Sequence, residues 1–452
     1  MLPNLLSEAS VPVSLDSSHE VATKTAVKLS VFVLIFVLAL CAAPLSAQNQ
    51  QSNNQNELHI HPRFMNMITH WYEPWPTVSF QSFRLWDTDT RWSDLNPGPG
   101  QYNWTTLDGW LSAAQQHQSS ALMTLAMTPQ WASSDPNNPI CHYGPGQCAP
   151  PNDLNADGSG TDQHWKDFVT AIAQHVGTQI TYWEIWNEPN NNFFWSGTPA
   201  QMARMAQDAR TIIQSINPHA RMLNGGTSSM YWYGLNWWKG YAAAGGLQWA
   251  DIIALHGTVS VYPEKCGVYP QPETFVQVMN NLHQVLTTYG VDNKPIWDTE
   301  ASWGRTDLDC FTDQDLQAAF LARFFLLHRS ESVRRFFWRG WIDGDGGIYT
   351  EQGGLNKAGI AYENLHDWIV GNDLTGPCAV NGTIWSCQLK GPKGFDAQAI
   401  WDTAETCDNG QCDSKPYTVG SQYQQYRMLD GSSHQINNNT VPIGAKPILV
   451  VN

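Results

Sequence analysis

Residues 182–190 read YWEIWNEPN, an aromatic run that stops on an amide, an acid and a proline. Tyr182, Trp183, Ile185 and Trp186 are aromatic or β-branched, the residue types that favour a strand. Pro189 has no N–H to give a sheet, so the chain must turn there and leave Glu188 at the strand's C-terminal end. In α/β proteins that is the end where ligands collect. An isolated Asn-Glu-Pro reads equally well as a capped strand end with a solvated carboxylate, so the weight falls on what surrounds it.

Seven further apolar runs alternate with longer amphipathic stretches: 63–69 (RFMNMIT), 82–87 (SFRLWD), 120–126 (SALMTLA), 221–225 (RMLNG), 251–256 (DIIALH), 295–300 (PIWDTE) and 333–338 (VRRFFW). Helical patterns such as DQHWKDFVTAIAQHV (162–176), PAQMARMAQDARTIIQSI (199–216) and DQDLQAAFLARFFLLHRS (313–330) lie between them. Eight strand–helix beats with buried-looking strands predict an α/β fold, a (β/α)8 barrel over 60–370. A doubly wound open sheet is the competing architecture, but no glycine-rich phosphate loop follows the first strand. From 371 to 452 short runs such as SCQLKG, AQAIWDT and AKPILVVN are broken by Gly, Pro and Asn, which predicts a small antiparallel, sandwich-like β-domain.

The 452 residues carry a net charge of −16 without any basic cluster, which argues against a nucleic-acid partner. Twenty-two Trp residues are enough to fill a large core and to leave some as stacking platforms for flat ligand faces such as those of sugars. Lys24 and Lys28 precede the apolar run SVFVLIFVLALCAAPLSA, which ends in small residues at Ala47. That order predicts a secretion signal over 1–47, with a retained membrane anchor as the alternative, followed by a polar spacer over 48–59. The expected location is secreted or periplasmic, with no membrane insertion of the mature domain. Removing Cys41 with the signal leaves eight cysteines, an even number that suits an oxidising compartment. Neighbour pairing, 141–148, 266–310, 378–387 and 407–412, is the simplest arrangement. A zinc site lacks its paired Cys-x-x-Cys spacing.

Two strands end in glutamate: strand four at Glu188, and strand seven, in KPIWDTEASWG, at Glu300. Only a barrel brings residues so far apart in sequence together. Acetal hydrolysis needs such a pair, one carboxylic acid to protonate the leaving oxygen and one carboxylate to attack or stabilise the sugar carbon. With these residues the chain resembles the clan A glycoside hydrolases, and most closely family 39, the β-xylosidase and α-L-iduronidase family. RLWDTDTRWSDLNPGPGQYNWTTLD (84–108), MTPQWASS (127–134), PPNDL (150–154), IALHG (253–257) and the closing IGAKPILVVN are similar to that family as well.

The resemblance implies a retaining glycosidase acting on a carbohydrate, a β-xyloside or related β-glycoside, without metal or cofactor. It assigns Glu188 as acid/base and Glu300 as nucleophile, and places Asn187 on the sugar 2-hydroxyl. Arg84 at the end of strand two would keep Glu300 ionised. His256 would line the pocket, with a neutral core histidine as its alternative. Trp338 would floor the sugar site, with core packing as its alternative. Phe193, Phe194 and Trp195 are leaving-group contacts or a packed loop. Gly257 and Thr258 stand where the family often has a tyrosine, and Tyr262 is a distant substitute.

Three rival readings stand beside this one. His59-Ile60-His61 puts two imidazoles on one strand face, as in metal-dependent barrel hydrolases, but strand five offers no further His ligand. DLNADGSGTDQH (153–164) half-matches a calcium loop, with Asp153, Asn155, Asp157 and Gly158 in order, but His164 stands where a bidentate Glu belongs. A non-catalytic carbohydrate-binding protein on a glycosidase scaffold is the third, and both glutamates being intact counts against it.

Overall fold

The computed structural model describes residues 59–452, apart from 71, 229–231, 260–270, 305–311, 343, 345 and 409. Eight parallel strands form the central sheet: β1 (Met65–Ile68), β2 (Ser82–Leu85), β3 (Ser120–Leu125), β4 (Tyr182–Asn187), β5 (Arg221–Gly226), β6 (Ile253–Leu255), β7 (Ile296–Ala301) and β8 (Val333–Arg339). Their order is β5-β4-β3-β2-β1-β8-β7-β6, and parallel bridges from Leu223 to Ile252 and from Ser228 to His256 draw β5 and β6 together. The result is a nearly closed (β/α)8 barrel, and each of the eight predicted runs overlaps one strand, most of whose residues it covers.

The helices form where the sequence supplies an apolar stripe and a start signal. Thr198 caps the helix Pro199–Ile216 through a capping box with Gln201, and Pro199 occupies its first turn. Asp313 caps Gln314–Ser330 by accepting from the Asp315 and Leu316 N–H groups. That helix is buried almost all round, because the helix Lys357–Ile369 packs on it opposite the barrel.

Inside the barrel, period-two alternation stacks a polar cage on an apolar plug. Leu122, Tyr182, Ala254, Trp297 and Phe337 belong to the plug. Two residues further along the same five strands stand Thr124, Glu184, His256, Thr299 and Arg339, toward the C-terminal rim. The plug excludes water from below, so charges above it sit in a low-dielectric floor.

Antiparallel sheets follow. The largest runs in the order Asp373–Leu374, Ile384–Lys390, Asp396–Asp402, Ile448–Val451, Gln425–Arg427 and Ser433–Gln435, with Ala379–Asn381 paired to Ile384–Lys390. A separate pair, Ser414–Thr418 with Thr440–Gly444, covers one face through Val441 and Ile443, which pack on Ile400 and Val450. Trp401 Nε1 donates to Glu273 Oε1 at 2.8 Å, and Asp315 accepts from Lys446 at 2.8 Å, so polar contacts fasten the sheet to the barrel's helices. Disulfides join Cys141 to Cys148, Cys378 to Cys387 and Cys407 to Cys412. These are three of the expected neighbour pairs. Cys266 and Cys310 lie outside the described residues, as do the 1–47 signal, the spacer up to residue 58 and Tyr262.

His59 and His61 do not join a barrel strand. Pro62 starts a 3-10 turn ahead of β1, where His61 Nδ1 accepts from the Arg63 N–H, and exposed His59 pairs with Asp373 at 2.8 Å. Two acids of the 153–164 loop are spent within it. Asp153 accepts from Thr161 Oγ1, Gln163 N and His164 N, and Asp157 accepts from Ser159.

Candidate active site

Both glutamates stand at irregular strand ends. In regular alternation Trp186 would follow Glu184 into the barrel. Instead Trp186 adopts a positive φ of 76° and its ring packs on Trp195 outside, with Nε1 donating to the Phe194 carbonyl at 2.8 Å. Glu188 is also left-handed, at φ 42°. Such conformations cost about 1–3 kcal/mol each and are held only where packing over-determines them. Their effect is to turn Asn187 and Glu188 toward the same cavity. On β7 the pairing register with β8 shifts between Asp298 and Ala301. Thr299 keeps its inward place in the cage, and the break lets its neighbour Glu300 reach the rim as well, with Glu300 N–H donating to Asp298 Oδ1 at 3.2 Å.

The two breaks converge. A carboxylate oxygen of Glu188, one of Glu300 and a ring nitrogen of His256 lie within 4.8 Å of one another. Glu300 Oε2 accepts from Arg84 Nη1 at 2.7 Å, and Oε1 accepts from Arg339 Nη1 at 2.6 Å. Burial pushes this carboxyl up, but Arg339, His256 and Arg84 outweigh it and hold Glu300 down at about 2. Two carboxylates and an imidazole are also a donor set for a cation, but both Glu300 oxygens already carry a guanidinium.

Glu188 is held differently, by an amide and an imidazole rather than by guanidiniums. Asn191 Nδ2 donates to its Oε2 at 2.8 Å, and His256 Nδ1 lies 2.9 Å from its Oε1. Burial pushes His256 down, while the Glu300 and Glu188 carboxylates more than offset it and raise it above its ordinary value. The imidazole lies so close to Gly226 that a Cβ there would stand 2.3 Å from its Nε2, so this position admits only glycine.

Of the six expected site residues, Glu188, Glu300, Asn187, Arg84 and His256 come together. Asn187 Oδ1 accepts from Arg84 Nη2 at 2.9 Å. Trp338 points the other way: it is fully enclosed, packed on Phe320, Phe325 and Phe336 beneath the helix Gln314–Ser330. Strand parity explains the difference, because Phe337 and Arg339 take the inward positions of β8. Trp195 is likewise core, whereas Phe193 is 38% exposed beside the loop that carries Glu188.

Sequence reasoning passed over Glu184 and Arg339. Glu184 accepts from Arg84 Nε at 2.7 Å, Thr299 Oγ1 at 2.7 Å and Thr124 Oγ1 at 2.9 Å. The signal was present: an acid in the middle of YWEIW has to be paired, and Arg84 is its cation.

A strand-four acid and a strand-seven acid this close, on this barrel, meet the comparisons with known proteins. The model for "Glycosyl hydrolases family 39" matches residues 87–337, more than half of the chain. The chain belongs to glycosyl hydrolases family 39. It is a clan A glycoside hydrolase. Among solved structures, a family 39 glycoside hydrolase from Bacteroides cellulosilyticus WH2 superimposes with a TM-score of 0.61 at 17% identity, over 86% of this chain and 81% of that one. A monomeric β-xylosidase from Caulobacter crescentus CB15 gives 0.59 at 15% identity, over 87% and 96%. A family 39 enzyme from Xanthomonas axonopodis pv. citri gives 0.61 at 15%, over 87% and 93%. At these identities the likeness is one of fold. No curated protein matches the sequence. Family 39 membership accounts for the barrel with antiparallel sheets after it, and makes a carbohydrate the substrate.

Proposed function

We propose that this glycoside hydrolase works with retention, Glu300 as nucleophile and Glu188 as acid/base, on a β-xyloside or a closely related β-glycoside. The observation that carries the proposal is the approach of the two carboxyl groups, with oxygens within 4.8 Å. Retaining enzymes hold them about 5–5.5 Å apart, whereas inverting ones leave room for a water at about 6.5–9.5 Å.

The chemistry follows from the contacts. Two guanidiniums keep Glu300 ionised, as a nucleophile must be. Glu188 gives its proton to the leaving oxygen as Glu300 attacks the anomeric carbon. Once the leaving group has gone, water enters, Glu188 takes its proton, and the glycosyl ester is hydrolysed. Asn187, anchored by Arg84, is positioned to donate its amide to a sugar hydroxyl. His256 and Asn191 orient Glu188 for both steps.

Preference for a xyloside rests on the resemblance noted in the sequence and on the β-xylosidase among the structural neighbours. Export is supported by three disulfides, which persist in oxidising compartments. Among the described residues no helix is long and apolar enough to cross a membrane. The boundaries 60–370 for the catalytic barrel and 371–452 for the accessory sheets belong to the same proposal.

Proton NMR of the first product from an aryl β-xyloside tests it. Expected is the β-anomer first, with mutarotation to α later. An α-anomer appearing first rules out double displacement. No turnover of any aryl β-glycoside alongside turnover of an aryl α-glycoside rules out the substrate assignment alone.

A further inference from the structure

If Glu300 attacks, as proposed above, one of its two oxygens must give up a guanidinium to become the ester oxygen. The two cations are not equivalent. Arg84 has no exposed side-chain surface, and its remaining nitrogens are held by Glu184 and Asn187. It has nowhere to go. Arg339 is 24% exposed, and its Nη2 lies 3.6 Å from Asp87 Oδ2, beyond hydrogen-bond length but within easy reach of a side-chain swing.

Asp87 is built to receive it. The Tyr143 hydroxyl donates to Oδ1 of Asp87 and leaves Oδ2 toward Arg339. Tyr143 packs edge-on against Trp86 at 5.4 Å and lies under the Arg91 guanidinium at 4.1 Å. Its loop is closed by the Cys141–Cys148 disulfide.

We infer that Oε1 of Glu300 is the attacking oxygen, and that Arg339 is a positioning residue that passes from Glu300 to Asp87 as the glycosyl ester forms and returns when it is hydrolysed. The balance is straightforward. Oε1 forms a bond to the anomeric carbon, the glycosidic C–O bond leaves with its electron pair, and the departing oxygen takes the proton of Glu188. Esterification removes the negative charge that held Arg339, while the charge of Asp87 remains. Arg339 thus keeps the nucleophile ionised before attack without blocking the attack itself.

The charged groups around Glu300 are Arg84 from β2, Glu184 and Glu188 from β4, His256 from β6 and Arg339 from β8, with Asp87 just beyond β2. Removing Arg339 takes away the largest of the cationic influences on Glu300.

The full-length enzyme is first trapped with an activated 2-deoxy-2-fluoro-β-xyloside, and the labelled peptide is read by mass spectrometry. A label on Glu300 is expected. A label elsewhere overturns both this inference and the nucleophile assignment. A crystal structure of the trapped enzyme should show the ester on the oxygen that faced Arg339, and a closed Arg339–Asp87 ion pair. An ester on the oxygen facing Arg84 overturns the inference alone. In solution, Arg339→Gln should raise the acidic limb of the kcat/KM profile by about one pH unit or more. Arg339→Lys should hold that limb near its original place. Asp87→Asn should leave the limb unraised yet slow the glycosylation burst roughly tenfold, a barrier increase of about 1.4 kcal/mol. A limb that does not move in Arg339→Gln, or one that rises equally in Asp87→Asn, overturns the inference with the nucleophile assignment intact.

Discussion

Arg84 and Glu184 form an ion pair of 2.7 Å in which neither side chain has any exposed surface. It lies one layer beneath the reacting carboxylates, and every remaining polar atom of the pair is put to use. Arg84 reaches up to Glu300 and Asn187, and Glu184 draws in Thr124, Thr299 and the Gly226 N–H. Such a pair is costly to desolvate, and removing one partner costs more than the pair contributes, because the other is left as a bare buried charge.

Glu184→Ala is therefore expected to lower stability by about 3–5 kcal/mol and to abolish activity, although Glu184 touches no substrate. Denaturant unfolding measures the first and steady-state assay the second. A variant with unchanged midpoint and unchanged kcat would show that the cage is dispensable.

Glu188→Ala should slow substrates with poor leaving groups far more than activated aryl glycosides, because only the former need a proton donor in the first step. A leaving-group series of aryl β-xylosides reads this directly. Equal losses across the series would remove Glu188 from the acid role.

Glu300 should make stability depend on acid. Its folded value, about 2, lies below its ordinary 4.5, so the native state binds that proton less readily than the unfolded chain does. The stabilisation is complete above about 4.5 and is lost as pH falls toward 2. Denaturation midpoints between pH 6 and pH 2.5 should fall less steeply in Glu300→Gln than in the parent.

Asp162 should act in the opposite sense. It is fully enclosed, and burial together with Asp208, whose Oδ2 is tied to Arg204 at 2.9 Å, pushes its carboxyl up to about 9. With the folded value above the unfolded 3.8, its contribution is complete below about 4 and fades as pH rises toward 9. Asp162→Asn keeps the shape without the proton, so its unfolding midpoint should hold between pH 6 and pH 9 while that of the parent declines. Parallel declines would place the cause elsewhere.

Cys141, Cys148, Cys378, Cys387, Cys407 and Cys412 should resist thiol reagents in the native protein and react after reduction. Mass spectrometry of alkylated peptides identifies each one. Rapid native labelling of any of the six would contradict maturation in an oxidising compartment.

Much of this site was legible along the chain because local chemistry writes it there. Tyr182–Trp186 ends on Asn187, Glu188 and Pro189 because a strand has to stop where proline removes its donor. The run Ile296–Glu300 carries a second acid at a strand's C-terminal end, and eight such runs alternating with amphipathic helices close into a barrel whatever their loops contain. The two glutamates are legible from residue type and strand position, whereas Arg84 and the strand-six histidine come from the family resemblance.

What the chain could not announce is which way each side chain points once a strand departs from regular alternation. The left-handed turn at Trp186 and the register shift after Asp298 put Asn187, Glu188 and Glu300 into one cavity, although period two alone would have turned some of them away. On β8 regular alternation did the reverse, burying Trp338 under a helix and presenting Arg339. The approach of the carboxyl groups to within 4.8 Å, and the sharing of Glu300 between two arginines, depend on strands far apart in sequence meeting across the barrel. Residue identity determines what a side chain can do, and its chemistry is local. The distance and direction at which it does so are properties of the closed sheet, set by packing that no short stretch of sequence contains.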